Sequence, residues 1–153
     1  MNSPRRARPA DEPLTRPFWE AAAAQRLVIQ RCAACRRFQH PPAPRCQACG
    51  EVAQLGFEAV SGHARVVSWS CIRQALVGGF ETVVPYTNVV VELVEQEGLY
   101  LVTDLPGDVT GPDSPMAVGA AMTAVFETVS PGFVLPQFRF AARAGTVAAE
   151  ESR

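Results

Sequence analysis

The residues with the clearest chemical capacity are Cys32, Cys35, Cys46 and Cys49, two Cys-x-x-Cys pairs separated by ten residues. Each short pair can curl around a metal ion with its backbone amides facing the sulfurs. Two pairs at this separation can therefore place four thiolates at the corners of one tetrahedron. Ligand softness and number favour zinc over iron. Four cysteines fill four positions and leave none for water or substrate, so the predicted metal is structural rather than catalytic. Two disulfides would instead need an oxidising compartment, and no apolar signal-peptide core precedes the cysteines. A thioredoxin-like redox pair would stand alone at a helix start, without a matching second pair. Cys71 alternates with Val67 and Trp69 on one face of a predicted strand and reads as a core cysteine.

Several elements must position these thiols. Residues 1–14 mix proline and arginine without enough apolar surface to order themselves, and are read as a disordered arm. Thr15 is placed to cap a short helix with Pro17 in its first turn and Phe18, Trp19, Ala22, Ala23 and Arg26 along one side. Leu27 to Gln30 reads as a strand feeding the first knuckle. Pro41, Pro42 and Pro44 stiffen the spacer between the knuckles and exclude a helix there. From Ser61 onward the pattern is β: Arg65 to Ile72, Tyr86 to Val94 with Val89, Val91 and Leu93 inward, Leu99 to Leu105, Ala121 to Val129, and Phe133 to Phe140. Pro136 assigns the last of these to an edge or a bulge. The long connection Gln74 to Val84, with Gly78 and Gly79, is a candidate binding loop. The expected organisation is mainly β: a disordered arm (1–14), helix and zinc ribbon (15–55), a five-stranded OB-fold barrel (56–143), and a tail (144–153). A sandwich is the competing arrangement for the strands.

With 153 residues, 48% hydrophobic and 19% charged, the chain suits one ordinary core or two small modules sharing an interface. No apolar run approaches membrane-spanning length, and a cytoplasmic protein is expected. A formal charge of −1 offers no general electrostatic drive toward nucleic acid.

In this order, the stretches Pro17-Phe18-Trp19-Glu20, Gln30 to Cys35, Pro41 to Gly50, Ser61 to Ser68 and Leu135 to Phe138 resemble the zinc-ribbon and OB-fold acyl-CoA-associated family first catalogued as domain of unknown function thirty-five. Two positions depart from the family pattern, Ala64 and Arg36, where glycine is frequent. The resemblance implies a rubredoxin-like ribbon and an OB-fold working as an accessory subunit beside a thiolase-like enzyme: a thiolase, a hydroxymethylglutaryl-CoA synthase relative or a sterol-carrier-type aldolase. It further implies that the partner carries the reacting groups while this subunit completes the acyl-CoA site, in a two-plus-two hetero-oligomer. The sequence agrees in offering only His40 and His63, with no nucleophile elbow and no phosphate-binding glycine motif.

Arg31, Arg36, Arg37 and Arg45 surround the knuckles. Two roles suit them: offsetting the net −2 charge of a four-thiolate zinc centre, or, for Arg36 and Arg37, binding CoA phosphates through the guanidinium fork. A nucleic-acid-binding module is the alternative from another functional class, since ribbons and OB barrels both serve there. A free-standing enzyme is disfavoured by the missing catalytic constellation.

Protein purified without added zinc is expected to carry one zinc per chain by elemental analysis. Replacing Cys46 with Ser is expected to destabilise the ribbon while much of the barrel's β circular dichroism persists. Binding of such a structural metal contributes about 10–16 kcal/mol, as much as a small domain's whole stability. A folded, metal-free chain in which Cys32, Cys35, Cys46 and Cys49 all titrate as free thiols would overturn the assignment.

Overall fold

The computed structural model describes residues 8–75 and 78–141. The first seven residues of the expected arm, the expected tail and two residues of the Gln74 to Val84 connection lie outside them. From Arg8 the chain lies along the barrel: the Arg8 guanidinium donates to Ser130 Oγ (2.8 Å) and to the Pro131 carbonyl (2.6 Å).

Helix α1 spans Arg16–Ala23. Thr15 makes no side-chain cap; instead the N–H groups of Thr15 and Arg16 both donate to the Glu12 carbonyl (3.0 and 2.9 Å). A backbone turn therefore starts the helix where a hydroxyl cap was expected. Its end is a Schellman arrangement, with Gln25 at φ 56° and Arg26 N–H donating to Ala21 O (2.9 Å). Phe18, Ala21 and Ala22 are buried, whereas Ala23 and Arg26 are exposed. The inward stripe thus takes in Ala21 and stops short of the two residues expected to extend it.

Strands β1 (Val28–Cys32), β2 (Phe38–Gln39) and β3 (Leu55–Ala59) form an antiparallel sheet in the order β2-β1-β3. β3 pairs along the whole of β1, from Val28 opposite Ala59 to Cys32 opposite Leu55. The ribbon sheet thus includes residues on both sides of the boundary expected between 55 and 56. Gly62, at φ 76°, turns the chain into the barrel. A Cβ there would stand 3.0 Å from that of Ala124, whose N–H bonds the Gly62 carbonyl. Only glycine meets both demands.

The barrel strands are β4 (His63–Ile72), β5 (Tyr86–Leu93), β6 (Tyr100–Pro106), β7 (Ala121–Ser130) and β8 (Phe133–Phe140), in the antiparallel order β6-β5-β4-β7-β8. This is the five-stranded OB arrangement, with Val89, Val91 and Leu93 buried as the alternation requires. Phe18, Leu27 and Ile29 join them in one hydrophobic cluster, so helix, ribbon and barrel share a core. Pro136 sits on β8, an edge strand.

One expectation for β4 is corrected. The register shifts between Val66 and Ser68, and β7 pairs with β4 only from His63 to Arg65. Trp69 and Cys71 do share a face, opposite Val89 and Thr87, but they lie beyond the reach of β7. Trp69 is 37% exposed and Cys71 is half-buried rather than a core cysteine.

The sheet's two edges, β6 and β8, meet through side chains. Gln137 Oε1 accepts from Thr103 Oγ1 (2.5 Å) and from Asp104 N–H (2.9 Å), and Thr103 Oγ1 accepts from Phe138 N–H (2.8 Å). Thr103 and Gln137 are both buried, so neither can exchange these bonds for water. Gln137→Leu is expected to destabilise the protein by about 1–3 kcal/mol. The measurement is a lower urea midpoint with an unchanged m value.

Candidate metal centre and the grooves beside it

Cys32 is the last residue of β1, and its N–H bonds the Arg37 carbonyl (3.0 Å) across the first knuckle. The second knuckle closes through Cys46 N–H to Glu51 O (2.8 Å) and Gly50 N–H to Cys46 O (2.9 Å). These loops bring the four sulfurs within 4.8 Å of one another, with Cys32 to Cys49 at 3.7 Å and Cys35 to Cys46 at 3.6 Å. A tetrahedral zinc with ~2.3 Å bonds to sulfur requires an edge of about 3.8 Å between ligands. The cluster fits that ion.

Its electrostatics point the same way. The N–H of Cys49, with that of Ala48 and the Cys35 and Cys49 thiols, holds the Cys46 thiol down to about 6. Cys49 receives the Glu51 amide, yet desolvation and the thiols of Cys35, Cys46 and Cys32 push it up to about 12. Ionisation of one sulfur thus opposes ionisation of the next, and a dication is what allows all four to be thiolates together. Zinc bound by these residues would tie β1, the spacer and the second knuckle into one unit.

Two buried glutamines support the spacer. Gln30 Oε1 accepts from Gln39 Nε2 (2.6 Å) and from Ala43 N–H (2.8 Å), while Gln39 Oε1 accepts from Gln47 N–H (2.9 Å). Prolines 41, 42 and 44 offer no N–H, so Ala43 is the central donor of the excursion, and Gln30 satisfies it.

The arginines divide by role. Arg31 pairs with Glu58 (2.5 Å), donates to the Arg36 carbonyl (2.8 Å) and lies 4.7 Å from the centre of the Phe38 ring. The Arg31 hydrogen bond and charge, together with the Arg36 charge, hold the Glu58 carboxyl below the usual carboxylate range. Arg36 adopts φ 63°, the left-handed conformation that glycine takes without strain. It lines a groove of about 260 Å³ with Arg31, Gly56 and Glu58. Arg37 lines a different hollow of about 540 Å³, at the junction of ribbon and barrel, with His40, Gln47, Gln96 and Gly98. The two neighbours expected to act together therefore face separate grooves. Arg45 is exposed, and its carbonyl accepts from Gln39.

At the junction, Phe38 N–H donates to Gln96 Oε1 (2.8 Å) and Gln96 Nε2 donates to the Phe38 carbonyl (2.9 Å). Gln96, from the β5–β6 turn, thus holds the ribbon to the barrel, a role that a polar residue between two glutamates did not reveal in sequence. His40 stacks tilted on Phe18 at 5.5 Å, and burial pushes its pKa below the ordinary value. It presents a neutral imidazole to the groove at neutral pH. His63 is an exposed residue at the start of β4.

Residues 19–53 match the family described as "ChsH2, rubredoxin-like zinc ribbon domain", and residues 57–127 match "ChsH2, C-terminal OB-fold domain". Over 123 residues the chain is 40% identical to a probable enoyl-CoA hydratase alpha subunit of Thermomonospora curvata; the match takes in 80% of this chain and 36% of that relative's length. A solved structure described as "Ltp2-ChsH2(DUF35) aldolase" superimposes with a TM-score of 0.74 at 36% identity, covering 88% of this chain and 100% of the other. A DUF35-family protein of unknown function from Sulfolobus solfataricus shares the fold, with a TM-score of 0.54 at 17% identity over 84% of this chain and 86% of its own. Ribbon and barrel are matched separately and in order, and the chain covers a relative of the same build from end to end: it belongs to the ChsH2 family of zinc-ribbon and OB-fold proteins, the DUF35 proteins.

Proposed function

We propose that the protein is a non-catalytic subunit that binds a thiolase-like enzyme, handles its acyl-CoA substrate and completes its acyl-CoA site. The observation that carries this reading is the full coverage of the chain from the Ltp2-ChsH2 aldolase. That assembly is named for two components, and this chain resembles one of them. The 540 Å³ groove between ribbon and barrel supports the ligand: Arg37 and Gln47 line it in a concave setting. Arg37 is assigned to CoA phosphate, and Arg36 to the charge of the zinc–thiolate centre.

The outward residues of β5 and β6 argue against nucleic acid. Asn88, Val90 and Glu92 stand beside Asp104, Val102 and Tyr100, and Arg65 of β4 lies opposite Glu92, so two carboxylates outweigh the one cation among these residues where an OB-fold would present a basic aromatic platform.

Arg37→Ala in the complex is expected to lower CoA affinity about ten- to a hundredfold, the range for losing a charged hydrogen bond of ~1.5–3 kcal/mol. Arg36→Ala should change it less than about threefold, within the range of an exposed charge contact. Calorimetry with CoA reads both. Unchanged affinity in Arg37→Ala would remove the junction groove as the phosphate site.

Co-expression with a thiolase-like protein is expected to yield one two-plus-two species by light scattering, with an interface on the order of 2,000 Å² or more. Separate elution at micromolar concentration, with the partner fully active alone, would overturn the accessory-subunit reading.

A further inference from the structure

A second concave surface lies between α1, the β7–β8 turn and the loop that precedes β5. Three hollows of about 410, 470 and 280 Å³ run into one another there: the first two share Trp19 and Phe133, and the second and third share Phe80 and Asp104. Trp19 and Phe80 are 61 positions apart in sequence, one on the helix and one beside the paired glycines, yet they border the same trough.

We propose that this trough takes the hydrocarbon part of an acyl thioester, an inference that rests on the acyl-CoA reading above. Pro9, Trp19, Phe80, Phe133 and Leu135 form the apolar part of the middle walls, which Arg8 and Asp104 complete. The arginines along it are already engaged. Arg8 bonds Ser130 and Pro131, Arg16 pairs with Asp11, and Arg139 donates to the carbonyls of Asp104 (3.0 Å) and Phe138 (2.8 Å). Asp11, Glu20, Asp104 and Glu127 line the same hollows, so the trough makes no strong demand for an anionic headgroup. A polypeptide laid on these apolar side chains would turn most of its amide groups toward surfaces that cannot bond them, with only Arg8 and Asp104 as polar neighbours, whereas a hydrocarbon chain carries no such cost.

The second argument is position. His40 lines the junction groove and contacts Phe18 at 5.5 Å; Phe18 meets Trp19 edge-on at 4.9 Å, and Trp19 meets Phe133 at 5.4 Å. A run of four rings thus leads from the groove assigned to CoA phosphate, past one short helix, into the trough. An acyl-CoA has a phosphate-bearing end and an apolar end, and the two surfaces, which share no lining residue, lie three ring contacts apart in the corresponding order.

The experiment uses the zinc-loaded full chain carrying Trp69→Phe, so that Trp19 is the fluorophore. It is titrated with CoA, butyryl-CoA, hexanoyl-CoA, octanoyl-CoA and decanoyl-CoA, with calorimetry in parallel. Trp19 emission is expected to respond to the acylated ligands. Affinity is expected to rise by up to about fourfold per methylene, the equivalent of ~0.8 kcal/mol for full burial. Leu135→Trp, which fills the middle of the trough, should flatten that rise and leave affinity for free CoA unchanged. If that variant does not fold, Leu135→Ala, checked by zinc content and circular dichroism, should weaken decanoyl-CoA at least about fivefold, as loss of buried aliphatic surface requires. Equal affinity for CoA and decanoyl-CoA overturns the trough and leaves the CoA reading intact. Binding of free decanoate, sensitive to chain length and to Leu135, with no binding of CoA, supports the trough and overturns the CoA reading. If acyl-CoA affinities stay flat while Leu135→Trp prevents co-elution with the thiolase-like partner, the trough is a protein-docking surface and the proposal fails.

Discussion

The gathering of four sulfurs within 4.8 Å of one another is the constraint on which the N-terminal half depends. Backbone N–H groups draw the Cys46 thiol down to about 6, while desolvation and the neighbouring thiols drive that of Cys49 up to about 12, an uneven set that a dication would even out. The metal closes the two loops. The core then fixes where that closed unit sits, because Phe18, Leu27 and Ile29 belong to the same cluster as Val89, Val91 and Leu93. Ribbon and barrel are thus two motifs of one hydrophobic body rather than beads on a linker.

Glutamine does at three joints, the spacer, the ribbon–barrel junction and the barrel's edges, what secondary structure does elsewhere. Gln30 and Gln39 supply acceptors to a spacer that prolines have stripped of donors. Gln137 bonds both the backbone and the hydroxyl of β6 where the barrel's edges approach. Each side chain has one amide carrying both a donor and an acceptor, which lets it complete a backbone pattern without carrying a charge into the interior.

Much of this was legible in the sequence, and the boundary of what was legible has physical causes. The cysteine spacing sufficed for the metal ligands because their geometry is local, within two short loops. Alternation sufficed for Val89, Val91 and Leu93 because β5 is paired on both sides. The same alternation misjudged how deeply Trp69 and Cys71 are buried, since burial there depends on where β7 begins, a non-local fact. β3 joined the ribbon for a similar reason: its partner, β1, lies across the spacer and both knuckles. Arg36 and Arg37 are adjacent in sequence but diverge in space, and the left-handed turn at Arg36 lies between their two grooves. Sequence adjacency could not convey that turn.

The contact between Gln96 and Phe38 has a consequence for the protein's behaviour in a crowded solution. β2 is two residues long and lies at the outside of the ribbon sheet. Its pairing with β1 leaves Phe38 with an outward N–H and C=O, the bonding pattern that lets one molecule's sheet continue into another's. Gln96 takes both positions with a single side chain. At Phe38 the ribbon therefore presents a sealed border instead of a template, and the fold achieves this with one amide in place of an additional strand.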